Sequence, residues 1–267
     1  MAKADPYAAL RFRDYRRFAA GLVLSILGEQ MIDVAIGWEI YERTNSASML
    51  GFAGLAEGLP FMLLAVAGGH ASDRYDRRSV LVLSQLALAV CSLGLAAVSL
   101  THGRVELMFA CIVLAGAARA FKSPARSALL PQLVPNHVLK SAVTWNSSMF
   151  QMASMAGPMI GGFLVAGFGH YHLVYELNAL LCLSFLVLLA TIPRASRVDA
   201  LAKEPVSWRS ALAGFTFIKK TPLILATITL DLFAALLGGA VALLPIFAKD
   251  ILHVGATGLG WLRAAPA

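Results

Sequence analysis

Long uncharged runs alternate with short polar breaks along the whole chain. A helix rises about 1.5 Å per residue, so about 20 consecutive apolar residues cross the hydrocarbon core of a bilayer. On that measure the pattern predicts helices near residues 18–42, 48–69, 79–101, 105–123, 141–168, 173–192 and 222–248, with an eighth beginning near Gly255. Val80–Thr101 and Ser141–Gly169 contain no acidic or basic side chain. The fourth run is weaker, because its uncharged part extends only from Leu107 to Ala118. All of these runs are continuous rather than alternating, which favours helices over the strands of a membrane barrel. The expected fold class is an all-α membrane protein.

Composition supports this. The 267 residues are 58% apolar and 14% charged, too little polar surface for a water-soluble domain of this length. A net charge of +7 does not imply nucleic acid, since no basic patch interleaved with aromatics lies on a polar domain. The expected partner is the lipid bilayer. Lys and Arg split 18 to 3 between the N-terminus with the even-numbered breaks and the odd-numbered breaks, leaving Arg263 in the eighth run. The positive-inside rule then places the N-terminus and every even-numbered break in the cytoplasm, which predicts a multi-pass membrane protein. The first apolar run is too long and too acidic for a cleaved leader and is expected to remain as the first span. Cys91, Cys111 and Cys182 all fall inside apolar runs and read as small packing residues.

The sixth break is the longest. Its stretch SWRSALAGFTFIKK begins at a candidate cap, Ser207, and puts Trp208, Leu212 and Phe215 on one face, with Arg209, Lys219 and Lys220 able to reach lipid phosphates. Three units are therefore expected: a six-helix half over 1–192, a cytoplasmic linker with an interfacial helix over 193–221, and the beginning of a second half over 222–267.

Ionisable side chains in a bilayer are costly, about 2.5 to 3.5 kcal/mol for an Asp at a helix centre, and so mark function by default. Glu29 and Asp33 lie four residues apart and share a face with Gly21, Ser25 and Gly37, a small, polar stripe suited to lining a cavity. Two such carboxylates in a low dielectric cannot both hold charge without partners, as suits a proton-coupled carrier; a structural pair bonded to a neighbouring helix is the alternative. Asp231 and Glu57 lie well inside their runs and either line the same cavity or bridge helices. Gln151 and Asn146 read as cavity or packing amides, whereas Glu39, Glu42 and Glu176 are expected to be solvated near the outer interface. No His pair has convincing metal spacing, so no metal and no cofactor are expected.

The stretch GGHASDRYDRRS, residues 68–79, is a dense charge cluster between two apolar runs. Gly69, Asp73, Arg74, Asp76, Arg77 and Arg78 resemble the loop signature of the major facilitator superfamily, with Ala71 in place of the usual Leu and Asp76 in place of the usual Gly. Asp is among the residues that best tolerate a left-handed turn. The resemblance implies a conformational latch across the interface between two halves, with Asp73 pairing with a basic group or a helix N-terminus. In the fifth run, Gly157, Pro158, Gly161 and Gly162 are similar to an exporter signature of that superfamily, with Ala153 replacing its first Gly. The glycines admit a close neighbouring helix and Pro158 removes a backbone hydrogen bond, so helix packing and a hinge both remain open.

Together with FKSPARSALLPQLVP and the final LLPIFAKDILHVGATGLGWLRAAPA, these stretches resemble the bacterial exporter branch that includes enterobactin-type siderophore exporters and macrolide efflux proteins. The Arg that this branch carries in its fourth span falls at Ile112. Arg119, near the expected cytoplasmic end, reads as a poor substitute.

The resemblance implies a secondary transporter that expels an amphipathic small molecule against inward proton movement by alternating access. A twelve-span member would be longer, so this chain reads as an incomplete version from which no coupled transport is expected alone. A seven-helix receptor or sensor is the alternative; an enzyme is disfavoured because no catalytic cluster appears.

Overall fold

The computed structural model describes residues 7–193, 221–222, 225–227, 229–230, 241 and 243–265. Six long helices follow the apolar runs: α1 (Arg13–Thr44), α2 (Ala47–Arg74), α3 (Arg77–Leu100), α4 (Val105–Leu129), α5 (Leu139–Phe168) and α6 (Tyr171–Ala190). Short helical turns at Leu244–Ile246 and Phe247–Ile251 lead into a helix at Gly255–Ala264, termed α7. No strand occurs among the described residues. The expected interfacial helix and Asp231 fall outside them.

α1, α2, α3, α5 and α6 are long and apolar enough to cross a membrane. α4 is as long but carries Glu106, Arg119, Lys122 and Arg126. It also continues to Leu129, beyond the end expected at 123, because Arg119 and Lys122 turn inward rather than marking a polar break.

α1 packs mainly on α5 and α6, α4 mainly on α2 and α3, and α3 and α6 pack on each other. Exchanging α1–α3 with α4–α6 reproduces this set of pairings, so the bundle consists of two equivalent three-helix repeats. Two apolar clusters fill it. One, around Tyr15, Phe18, Leu81 and Phe185, lies toward the α2–α3 turn, here the loop end. The other, around Met31, Ile40, Met108 and Tyr175, lies toward the α1–α2 turn, the opposite end. The three cysteines are unpaired, with Cys91 and Cys182 buried.

At the loop end, α2 and α3 are separated only by Tyr75 and Asp76. Asp76 is not left-handed: at φ −60° and ψ 117° it caps α3, accepting from Ser79 N and Ser79 Oγ at 3.0 and 2.7 Å. An N-cap acid satisfies orphan amides, so Asp here replaces the usual Gly through its carboxylate rather than through turn tolerance. Arg77 donates to the Ala128 carbonyl on α4 at 3.0 Å, and Arg78 to those of Leu189 and Ala190 on α6 at 2.9 and 3.0 Å. These bonds join helices of one six-helix bundle at their C-terminal ends, where the dipole favours cations. Asp73 and Arg74 are exposed. A side chain at Gly69 would meet open space, whereas one at Gly68 would strike the Ala120 carbonyl, so Gly68 admits the close α2–α4 approach.

The exporter-type stretch is a packing element on two sides. Side chains at Gly157 and Gly161 would collide with Gln30 and Met31 on α1, and one at Gly162 with Ala256 and Gly260 on α7. The Pro158 carbonyl in turn faces Gly260, and α5 runs unbroken through Pro158.

Candidate functional site

Glu29 and Asp33 on α1, Glu57 on α2, and Arg119 and Lys122 on α4 converge inside the bundle. Arg119 donates from Nη2 to Asp33 Oδ1 at 3.1 Å, pairs with Glu57 through Nη1, and brings Nε to 3.9 Å from Glu29 Oε2. Lys122 pairs with Glu29 and donates to Ser25 Oγ at 2.7 Å. Ser25 Oγ also accepts from Gln85 Nε2 at 2.8 Å and donates to Glu29 Oε1 at 3.0 Å, which satisfies the hydroxyl fully.

Local structure explains the convergence. Helix side chains tilt toward the helix N-terminus, and α1 and α4 run in opposite directions, so acids on one and bases on the other tilt toward each other. Because α4 continues to Leu129, Arg119 lies ten residues, about 15 Å of helix, short of its end. The expectation that Arg119 sits too near the cytoplasmic end is thus corrected. Ile112, where the branch carries its Arg, is a buried core residue instead. Gly116, one turn before Arg119, lets α4 press against the Glu57 backbone, where any side chain would collide with the Glu57 carbonyl.

The cluster is graded in exposure. The Lys122 side chain is 5% exposed, against 26% for Asp33 and 36% for Glu57. Lys122 and Glu29 thus form the deep pair, while Asp33 and Glu57 flank Arg119 beside a small cavity lined also by Ser92, Ile112 and Asn178. In a low dielectric, ion pairing and hydrogen bonding of this density are what allow so many charges to stay inside. Gln151 is exposed on α5 and is not among the residues lining that cavity. Lys122 and Gln85 escaped sequence reading. A basic residue near a helix end scores as a topology signal, and only the facing helix reveals an inward partner.

A second buried acid was also missed. Glu39 was expected to be solvated, yet its side chain is 0% exposed, accepting from Tyr175 Oη at 2.6 Å and pairing with Arg43. Arg43 in turn donates to the Gly103 carbonyl at 2.9 Å, which fastens the opposite end of the bundle. Glu42, paired with Tyr171, and Glu176 are exposed, as expected. No three His, Cys, Asp or Glu side chains among the described residues group as a metal site.

A two-repeat helical bundle with paired charges in its interior, five of its helices long and apolar enough to cross a membrane, defines a multi-pass membrane protein. The family model described as transmembrane secretion effector matches residues 4–266, and the chain belongs to that family of the major facilitator superfamily. This sets aside the seven-helix receptor. Macrolide efflux protein A of Streptococcus pyogenes is 25% identical over 250 residues, covering 86% of this chain and 58% of its own length. The enterobactin exporter EntS of Escherichia coli is 28% identical over 246 residues, covering 91% and 58%. The staphyloferrin A transporter of Staphylococcus aureus is 27% identical over 189 residues, covering 70% and 47%. The chain therefore spans about half the length of the curated relatives it matches. A crystal structure of a D-xylose–proton symporter superposes with a TM-score of 0.62 at 13% identity, over 94% of this chain and 65% of that one, and shares the fold.

Proposed function

We propose that this chain supplies the coupling half of a secondary exporter that expels an amphipathic small molecule in exchange for protons by alternating access. One observation carries the reading: three carboxylates, Glu29, Asp33 and Glu57, share two cations, Arg119 and Lys122, inside a membrane-spanning bundle. Protonating one acid frees part of a cation's bonding, which gives a substrate and a proton competing claims on the same groups. The names of the relatives, which refer to a macrolide, enterobactin and staphyloferrin A, support a small-molecule substrate.

In this reading residues 1–192 form the first half, 193–221 a cytoplasmic linker and 222–267 the start of the second half. The N-terminus and the loop end face the cytoplasm of a bacterial inner membrane. Removing the inward-turned Arg119 and Lys122 from the cytoplasmic tally still leaves sixteen basic residues against three.

The test is proton release from the purified chain in weakly buffered detergent on adding a macrolide or enterobactin. Up to about one proton per chain is expected from the wild type, and less from Asp33→Asn and Glu57→Gln. No release from the wild type, or an equal release from the double variant, overturns the reading.

A further inference from the structure

Ser154, inside the exporter-type stretch of α5, is buried and its hydroxyl meets no hydrogen-bond partner. Ser72, Ser84 and Ser92, also buried on helices, each return the hydroxyl to the carbonyl four residues back at 2.9 Å. Ser154 does not, and a donor is left over. A second lies on α7, where the Arg263 Nε is buried without a hydrogen-bond partner and the residue forms no ion pair among the described residues. The acids inside the bundle are committed elsewhere: Glu29, Asp33 and Glu57 to Arg119 and Lys122, and Glu39 to Arg43. A guanidinium stays charged at any working pH, so this cation lacks an anion.

Helix register brings the two donors to one groove. Gly162 faces Ala256 and the Pro158 carbonyl faces Gly260, so α5 and α7 run antiparallel where they touch, and the next turn sets Arg263 against Ser154. On α5, Gly157 and Gly161 face α1 while Pro158 and Gly162 face α7. Ser154 precedes Gly157 by three residues and Pro158 by four, which puts it on the seam between those faces. On α7, Leu259 and Leu262 pack with Val34 and Trp38 of α1, while Ala256 and Gly260 lie on α5. Arg263 follows Leu259 by four residues and Gly260 by three, on the matching seam. Both donors thus belong to the groove where α1, α5 and α7 meet.

We propose that Ser154 and Arg263 form a substrate-binding subsite for a carboxylate, whose oxygens accept from the Ser154 hydroxyl and the Arg263 guanidinium. The inference rests on the exporter reading and deepens it, because the expelled amphipath is then an anion. Arg263 supplies the charge and Ser154 a neutral donor that fixes orientation. A buried donor without a partner is unfavourable, so the ligand brings the acceptor that the protein withholds.

The test compares 1-pyrenebutyrate with 1-pyrenebutanol, alike in apolar body and different in charge, by energy transfer from tryptophan in the full chain in nonionic detergent. Trp261, exposed and two residues from Arg263, serves as the energy donor. The wild type is expected to bind the carboxylate at least about tenfold more tightly than the alcohol. Arg263→Gln removes that preference and Arg263→Lys keeps part of it. Ser154→Ala lowers affinity for the carboxylate about three- to tenfold and leaves the alcohol unchanged, and it serves if Arg263→Gln does not fold. Equal affinities in the wild type overturn the inference, as does a preference unchanged in Arg263→Gln, or in Ser154→Ala where Arg263→Gln does not fold. Proton release on adding a macrolide or enterobactin, alongside equal affinities, leaves the coupling reading standing. A carboxylate preference lost in Arg263→Gln, without proton release, overturns the coupling and supports the subsite.

Discussion

The protein holds dense charge in two places and handles it in opposite ways. In the interior, Arg119 and Lys122 are paired with side chains from other helices: Glu29, Asp33, Glu57 and Ser25. At the loop end, Arg77 and Arg78 are satisfied by main-chain carbonyls at the ends of α4 and α6. The first arrangement depends on every partner being present, because a charge abandoned in a low dielectric has no water to turn to. The second depends on helix ends that exist whatever the side chains are, and solvent stands ready to replace any lost bond. Charge density alone would rank the loop first, yet the charges that depend on one another lie inside.

That contrast can be broken experimentally. Lys122→Met, which leaves Glu29 without its deep partner, is expected to cost about 3–5 kcal/mol of stability, and adding Glu29→Gln should recover most of the loss. Thermal or denaturant unfolding in mild detergent reads both. Gly116→Leu attacks the same cluster sterically by prising α2 from α4 at Glu57, with an expected cost of about 1–3 kcal/mol. Gly54→Leu, on a face of α2 with nothing within 4 Å, is its control and should be close to neutral. At the loop end, Arg78→Ala should cost about 1 kcal/mol or less and lose much of that effect in high salt, as the interior variants should not. Gly69→Ala, where an added Cβ meets no atom, should stay within about 0.5 kcal/mol of wild type. A loop variant as damaging as Lys122→Met would collapse the distinction.

How much of this was legible in the sequence differs residue by residue. All six long helices follow the apolar runs, and Glu29, Asp33 and Glu57 stand out because an acid in an apolar run is conspicuous. Their partners do not. Lys122 sits among residues that look like a helix end, and Glu39 sits one turn from Arg43 near an interface, so both read as solvated until Ser25, Gln85 and Tyr175 are seen facing them. The left-handed turn expected at Asp76 failed for a related reason: a family pattern records which residue is usual, while the cap bond to Ser79 shows what this residue does instead.

The sequence by itself determined the membrane class, the number of the first six helices, and which side chains are too costly to be idle, because apolar length and the cost of a charge in an apolar run act locally along one helix. Only the tertiary structure decided which charges meet. Partnership depends on helix direction, side-chain tilt and the glycines that set how closely two helices approach, and none of these is a property of a single segment. Arg119 shows the difference: in the chain it is one more cytoplasmic arginine, and in the bundle it is the group that Asp33 and Glu57 share.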